Sequence, residues 1–458
     1  MSWFGHETHT TSAEVRGKLG VECETLGQRE SDDAVTEGSN ERAANGIAQL
    51  LKNRRYALYL ASRLMLIIGT QMLSVAVGWQ VYEITGQALA LGFSGLALFL
   101  PAFVLALPAG HVADRRDRRS IVLVCHLGVT TAAATLGWMA YSGVRSLAPI
   151  YAVLALLGTI RAFSGPAGQA LMPSLVPRGS LERAISLGSS TWQLAMIAGP
   201  SLGGIIYAAS HRAYVVYATS ATLAIGAFCC VLAMGGADTD DVNRGPASQA
   251  GKAPTSWGTL VAGLRYVWSD KPILGSLTVD LFAVLLGGAV ALLPIFAKDV
   301  LAIGPWGLGI LRSAPAIGAA AVALVLAWRP LKRRAGMTMF VCVLIFGLAT
   351  IVFGLSKSFA LSLAALVILG AADMVSVVVR STLIQTRTPD EMRGRVSAVN
   401  LVFIGASNEL GEFESGITAA WLGPELAVVV GGVGTCVVVL ACIVAFPQLS
   451  KIDRIDEV

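Results

Sequence analysis

Residues 110–119 read Gly110-His111-Val112-Ala113-Asp114-Arg115-Arg116-Asp117-Arg118-Arg119, a short charged stretch set between two apolar runs near 88–110 and 120–142. An apolar helix of about 20 residues crosses a hydrocarbon core about 30 Å thick, so the stretch reads as a tight loop joining two membrane spans. The same ruler, carried outward, places spans near 56–81, 148–170, 183–208 and 213–234, then near 272–297, 306–328, 337–356, 359–382, 395–420 and 425–446. The expected fold class is therefore an all-α integral membrane protein with twelve transmembrane helices in two groups of six. Composition agrees: 55% of residues are hydrophobic and only 14% charged, whereas a soluble domain carries about a quarter charged residues. Too little charge is present to cover a soluble surface, and lipid is the expected solvent for most of the chain.

Lysine and arginine are retained on the cytoplasmic side of membrane loops. With the amino terminus inside, the inner loops receive Lys52, Arg54 and Arg55, then the arginines of 115–119, then Arg178 and Arg183, then Arg329, Lys332, Arg333 and Arg334, then Arg387, Arg393 and Arg395. The outer loops receive only Arg145, Arg212, Lys298 and Lys357, with Arg312 just inside the outer end of the eighth span. Both termini are expected to be cytoplasmic, and the formal net charge of +5 reports topology without requiring nucleic acid as a partner.

Five segments follow: a polar tail over 1–50, a first six-helix half over 51–234, a cytoplasmic linker over 235–271, a second half over 272–448 and a short tail over 449–458. Within the linker, Leu260, Val261, Leu264, Val267 and Trp268 recur at helical spacing, the pattern of a helix lying on a membrane surface. The two halves carry an internal repeat. A shift of 212 positions brings Gly158 onto Gly370, Ser164 onto Ser376, Pro177 onto Pro389, Arg183 onto Arg395, Gly199 onto Gly411 and Gly204 onto Gly416. Parallel repeats of this kind are a transporter architecture.

In the opening stretch, Gly110 permits close helix contact, Asp114 can cap a helix or pair with a cation, and the arginines suit anionic headgroups. These residues at this spacing resemble the loop signature G-x-x-x-D-R-x-G-R-R of the major facilitator superfamily, with Asp117 standing where the pattern has glycine. The resemblance implies a gating role for Gly110, Asp114, Arg115, Arg118 and Arg119. In the fifth span, Gly199-Pro200-Ser201-Leu202-Gly203-Gly204 is similar to the core of the antiporter signature of that superfamily, which implies gating there by Gly199, Pro200, Gly203 and Gly204. The stretches 164–173 and 388–416 resemble the exporter subgroup that includes the enterobactin exporter and macrolide efflux proteins.

Ionisable residues inside a bilayer are costly, at about 2.5–3.5 kcal/mol each on insertion scales, and normally face a cavity or a partner. Arg63, Arg161, Asp280, Asp373, Arg380, Glu409, Glu412 and Glu414 all fall within expected spans. They are, with Gln71, the candidate substrate and proton-binding residues. The repeat sets Arg161 and Asp373 at equivalent depth and suggests that they share one cavity. Glu409 and Glu412 share a helix face, Glu414 points away from Glu412, and one of Glu409, Glu412 or Asp280 is expected to carry a coupling proton. Trp79 and Gln80 are further ligand candidates, an interfacial anchor being the alternative for Trp79.

The resulting expectation is a proton-coupled exporter of a siderophore or amphipathic drug-like molecule in the bacterial inner membrane. No phosphate-cradling G-x-x-x-x-G-K-[ST] motif occurs, no metal or cofactor is expected, and no catalytic constellation recommends an enzyme. The expected partners are the solute and membrane lipids, an outer-membrane efflux partner is left open, and the chain is expected to act as a monomer. Lysolipid flipping by the same fold and ligand sensing without transport are the competing readings.

Overall fold

The computed structural model describes residues 49–177, 179–235, 257–329 and 334–452. Most of the expected 1–50 tail, much of the 235–271 linker and the end of the 449–458 tail lie outside the described residues, as do Arg178, Lys332 and Arg333. The first half holds α1 (Arg54–Thr85), α2 (Ala88–Arg115), α3 (Arg118–Tyr141), α4 (Leu147–Leu171), α5 (Leu181–Ser210) and α6 (Ala213–Ala233). After α7 (Trp257–Ser269), the second half holds α8 (Lys271–Leu286), α9 (Gly304–Trp328), α10 (Ala335–Leu355), α11 (Phe359–Arg387), α12 (Asp390–Leu422) and α13 (Pro424–Ala445), followed by the short α14 (Pro447–Ser450). No strand occurs among the described residues.

Among the described residues, ten segments are long and apolar enough to cross a membrane. The two remaining long helices, α5 and α12, are the more polar ones. Several helices, notably α2 and α11, continue past the apolar runs, because the run marks the lipid crossing while backbone hydrogen bonding carries the helix on into polar sequence. Local sequence explains the ends. The Asn53 side chain caps α1 by accepting from the backbone N–H groups of Arg55 and Tyr56, and left-handed Gly86 ends that helix.

Packing repeats from half to half. In the first half α1 lies against α5 and α6, α2 against α4, and α3 against α4 and α6; in the second, α8 lies against α12 and α13, α9 against α11, and α10 against α11 and α13. Between halves, α5 packs on α9 and α2 on α12. Repeat-related glycines do equivalent work. A Cβ at Gly204 would lie 2.9 Å from the Gly309 Cα, and one at Gly416 would lie 2.8 Å from the Gly92 Cα, so both inter-half seams are backbone against backbone.

Both seams lie toward the ends of the helices remote from the 110–119 loop. Toward the loop, by contrast, a Cβ at Gly165, Gly168, Gly188 or Gly405 would meet nothing within 4 Å. The halves are thus closed at one end and splayed at the basic end. Gly204→Val is expected to wedge the closed end apart. A cysteine placed at Ser74 in a cysteine-free background should then react several-fold faster with an impermeant maleimide added from the side opposite the basic loops, and an unchanged rate would contradict the seam.

The seventh crossing departs from a single span over 272–297. It breaks after α8 at Gly287 and Gly288, continues as a 3-10 turn (Ala289–Leu292) and a short α turn (Leu293–Ile295), and ends as a π turn (Phe296–Val300). Glycine pairs and π turns are recognised causes of such breaks. Here Gly288 allows contact with the backbone of Gly411, and Gly287 with Phe346. The surface-helix expectation for the linker is also modified. Val267 of α7 is fully buried, and the Tyr266 hydroxyl donates to the Arg387 carbonyl at 2.9 Å, while Val261, Leu264 and Trp268 stay exposed. The helix is docked on the second half along one edge.

Candidate functional site: a charged cavity between the halves

A cavity of about 420 Å³ lies between the two halves. Helix α1 presents Ile67, Thr70, Gln71, Ser74 and Gly78 to it, the spacing that keeps residues on one helical face. Apolar walls come from Leu66, Leu98, Leu157 and Met196, and the charged lining is Arg161 from α4, Arg312 from α9, and Glu409 and Glu412 from α12.

Arg161 Nη1 lies 2.6 Å from Glu409 Oε1, an ion pair that joins the first half to the second. Arg312 donates to the Ser74 hydroxyl at 2.9 Å, a second link between halves. Glu412 is seated against α2, where a Cβ at Gly95 would lie 2.8 Å from its Oε2, so the glycine makes room for the carboxylate. Gln71 contacts Met196 Sδ at 3.0 Å. Two cations and two carboxylates therefore share a chamber with apolar walls, an arrangement able to hold an amphipathic solute and to exchange ionic partners.

The remaining candidates distribute elsewhere. Arg63 lies 5.9 Å from the ring of the cavity residue Trp192 and donates to the Tyr59 hydroxyl at 3.5 Å. Glu414 is half-buried and accepts from Thr418 at 2.6 Å, off the cavity. Asp280 and Asp373 line a separate chamber within the second half, and Arg380 is paired to Asp280. The expected meeting of Arg161 with Asp373 does not occur: equal depth in α4 and α11 places them at corresponding points of two different halves, and Arg161 reaches α12 instead. Trp79 packs edge-on against Tyr207 and Gln80 accepts from Tyr217 at 2.6 Å, so both belong to the packing of the first half.

Arg312, which the sequence alone groups with the outer charges, is a cavity residue outside the candidate set. The signal that marks it in the sequence is its position as a lone cation about two turns into an otherwise apolar run.

The family model described as transmembrane secretion effector, a major facilitator family, matches residues 46–458. The chain belongs to that family. This secretion-effector family member is 29% identical over 367 residues to the multidrug efflux pump Tap of Mycolicibacterium fortuitum, covering 75% of this chain and 84% of Tap. It is 27% identical over 405 residues to the enterobactin exporter EntS of Citrobacter koseri, covering 86% of this chain and 92% of EntS. Among solved structures, an inward-facing bacterial homologue of the iron transporter ferroportin matches with a TM-score of 0.65 at 16% identity, over 87% of this chain and 99% of that one. An inward-facing, unoccupied bacterial homologue of the lysosomal transporter Spinster matches with a TM-score of 0.63 at 15% identity, over 87% and 96%. The all-α major facilitator fold and a multi-pass membrane transporter are thereby established.

In this secretion-effector protein the 110–119 loop is built as a set of caps. Arg118 donates to the Ala170 carbonyl at 2.9 Å, while Arg119 donates to the carbonyls of Val231 at 3.2 Å and Leu232 at 2.9 Å. Two arginines thus satisfy the exposed carbonyl ends of α4 and α6, a task that the headgroup expectation did not include. Arg115 is exposed in the last turn of α2 and Gly110 is half-buried one turn earlier; the Asp114 side chain lies outside the described residues.

Asp117 resolves the departure from the family pattern, because it caps α3 by accepting from the Ser120 backbone N–H at 2.9 Å and hydroxyl at 2.6 Å, with φ of −59°. No left-handed residue is needed there. Burial opposes its charge, but the Ser120 hydrogen bonds and the neighbouring Arg119 bring its pKa below the ordinary carboxylate value. A lowered folded-state pKa means that the cap contributes fully above the unfolded value and is lost as pH falls through the folded one. Asp117→Ala is expected to cost about 1 kcal/mol or less at neutral pH, read by unfolding in SDS titration, and the cost should begin to shrink as pH falls below about 4.

In the fifth span, Gly199, Gly203 and Gly204 serve two neighbours. Gly199 and Gly203 bring α5 against Gln71 and Met72 of α1, and Gly204 brings it against α9. Across the α5–α9 seam, Gln193 donates to the Ala316 carbonyl at 2.5 Å, and the Ser201 and Ser313 hydroxyls lie 2.9 Å apart. Pro200 sits buried within this seam.

Proposed function

We propose that the chain is a proton-coupled exporter that carries an amphipathic small molecule, a siderophore or drug-like solute, outward across the bacterial inner membrane by alternating access. The observation that carries this reading is the cavity between the halves: about 420 Å³, apolar-walled, crossed by the Arg161–Glu409 pair, and closed at the end remote from the basic loops. With basic loops retained in the cytoplasm, both termini are cytoplasmic and the open end faces the cell interior, where an exporter collects its cargo. The enterobactin and multidrug exporters among its relatives support the direction and the cargo class.

In this reading the solute enters from the cytoplasm, its apolar body against Leu66, Leu98 and Leu157 and its charged or polar groups between Arg161, Arg312, Glu409 and Glu412. Protonation of Glu409 removes its charge and loosens the Arg161–Glu409 link between halves. Rocking about the middle then opens the glycine seams and closes the basic end. The chain acts as a monomer in this cycle.

The test is expression in a bacterial strain deleted for its own siderophore and multidrug exporters. Accumulation of a fluorescent amphipathic cation and of a catecholate siderophore should each be compared with an empty vector. Lower accumulation of at least one, abolished by a protonophore while ATP is held constant, is the expected result. Equal accumulation of both would sink the export reading, and protonophore-insensitive export would sink the coupling. Faster inward-to-outward movement of a labelled lysolipid, with neither solute exported, would replace solute export by lipid flipping.

A further inference from the structure

The second chamber of the molecule lies wholly within the second half, lined by Asp280, Val284, Val343, Phe346, Asp373 and Ser376. Its free volume is about 10 Å³, the room that one water molecule or one small ion occupies. Asp373, Ser376 and Arg380 follow one another along one stripe of α11 at spacings of three and four, and Asp280 faces them from α8. Arg380 is 2% exposed and Asp280 6%.

Charge counting singles the chamber out. Arg380 pairs with Asp280, so that pair is neutral. Asp373 is then a second carboxylate with no cation of its own in a chamber set among membrane helices, where an uncompensated charge is costly. Among the described residues no other ion pair reaches Asp373, and Arg312 of the neighbouring α9 faces the inter-half cavity and donates to Ser74. Val343 and Phe346 of α10 are apolar. Thr435 of α13 commits its hydroxyl to the carbonyls of Ala283 and Gly431. On α12, Glu409 and Glu412 face the other cavity and Glu414 is bonded to Thr418.

A second, independent feature points to a ligand. The Ser376 hydroxyl is 1% exposed, lines the chamber and has no hydrogen-bond partner. Buried hydroxyls are nearly always satisfied, and one that is not calls for an explanation. A hydroxyl oxygen beside a surplus carboxylate, in a space of one ion, is a cation ligand set. It is too small in oxygen count and too close to Arg380 to satisfy a divalent ion.

We propose that this chamber binds one exchangeable monovalent cation, a proton or a sodium ion, at Asp373 and Ser376, separately from the solute cavity. Its use as the coupling-ion site rests on the gradient-driven exporter reading above. The chamber is a second ion position, inside the second half and apart from the carboxylates of the inter-half cavity. Asp373, half-buried, is the chamber's accessible member, whereas Asp280 is tied up as the counter-ion of Arg380.

The experiment uses the purified full chain in detergent with no solute present. Bound protons are counted by titration between about pH 5 and 9, a range in which ordinary aspartates stay ionised, and saturable binding of radioactive sodium is measured in parallel. Wild type is expected either to take up one proton more than Asp373→Asn over that range or to bind one sodium ion that Asp373→Asn does not bind; the first outcome identifies the ion as a proton and the second as sodium. Asp373→Glu should retain the signal. Ser376→Ala, which keeps every charge and guards against misfolding of the asparagine variant, should weaken sodium binding about tenfold or, if the ion is a proton, shift its titration. Identical proton counts and sodium binding in wild type, Asp373→Asn and Ser376→Ala would overturn the proposal. Because no solute is used, that result leaves the exporter reading standing, and failure of solute export leaves the ion count standing.

Discussion

Arg161→Ala is expected to abolish most export while leaving the folded yield near wild type. The Arg161 side chain is 60% exposed to the cavity and its partner Glu409 only 10%, so water screens the pair from one side and its worth to stability is about 1 kcal/mol at most. Transport is a different matter. The pair joins α4 to α12 across the halves, and its loss removes both a solute-facing cation and one of the links that hold the present state. A link worth about 1 kcal/mol shifts the balance of states about fivefold at most, so the larger part of the loss is expected from the missing solute-facing cation. Glu409→Gln should break the same link. The double variant Arg161→Glu with Glu409→Arg separates the two contributions: restored transport means that the link matters, and continued loss means that the cation must stand on α4 to meet the solute. Measured in the export assay above, full activity of Arg161→Ala would remove the pair from the mechanism.

Arg380→Ala is expected to have the opposite signature, a collapse of stability. Arg380 and Asp280 are both buried, and removing one member of a buried ion pair leaves an uncompensated charge at a cost of about 3–5 kcal/mol. Much of the protein should then be lost from the membrane fraction, and the material recovered should unfold at lower SDS than wild type. Replacing both members by neutral residues of similar size, Asp280→Asn with Arg380→Met, should recover most of the lost stability, since buried pairs often break even against neutral packing. Normal yield and unfolding of Arg380→Ala would show that the pair is not the fixed counter-charge described for it.

The membrane helices were readable because lipid imposes one rule, a run of about 20 apolar residues, and because repeat-related glycines such as Gly204 and Gly416 recur at the same register. The break at Gly287 and Gly288 escaped that rule, since hydropathy measures solubility in lipid and is blind to the hydrogen-bond ladder. Asp117 looked like a defect in a turn motif, yet its short carboxylate does by capping what glycine does by conformation. Arg161 and Asp373 illustrate the limit of repeat symmetry: it equates depths within corresponding helices but does not say which residues meet across the halves. Arg161 found Glu409, and Arg312 entered the cavity unforeseen, because lateral direction around a helix depends on neighbours many residues away. Glu409 and Glu412 line one cavity, a relation that helix spacing makes legible because it is local.

The interrupted seventh crossing carries a mechanical consequence. An unbroken helix is a stiff rod, so displacing one end drags the other, but here the backbone between α8 and the π turn is held by short-range bonds such as Ala289 N–H to the Gly287 carbonyl at 2.6 Å and Ala291 N–H to the Gly288 carbonyl at 3.2 Å. On one side of this joint stands Asp280, anchored to Arg380; on the other, Asp299 accepts from Tyr82 of α1. Under the proposed alternating access the joint acts as a universal coupling: the segment bearing Asp299 follows α1 when that end opens, while the segment bearing Asp280 keeps its alignment in the second half. Amide hydrogens of residues 289–291 should accordingly exchange with solvent deuterium sooner than those of the flanking α8.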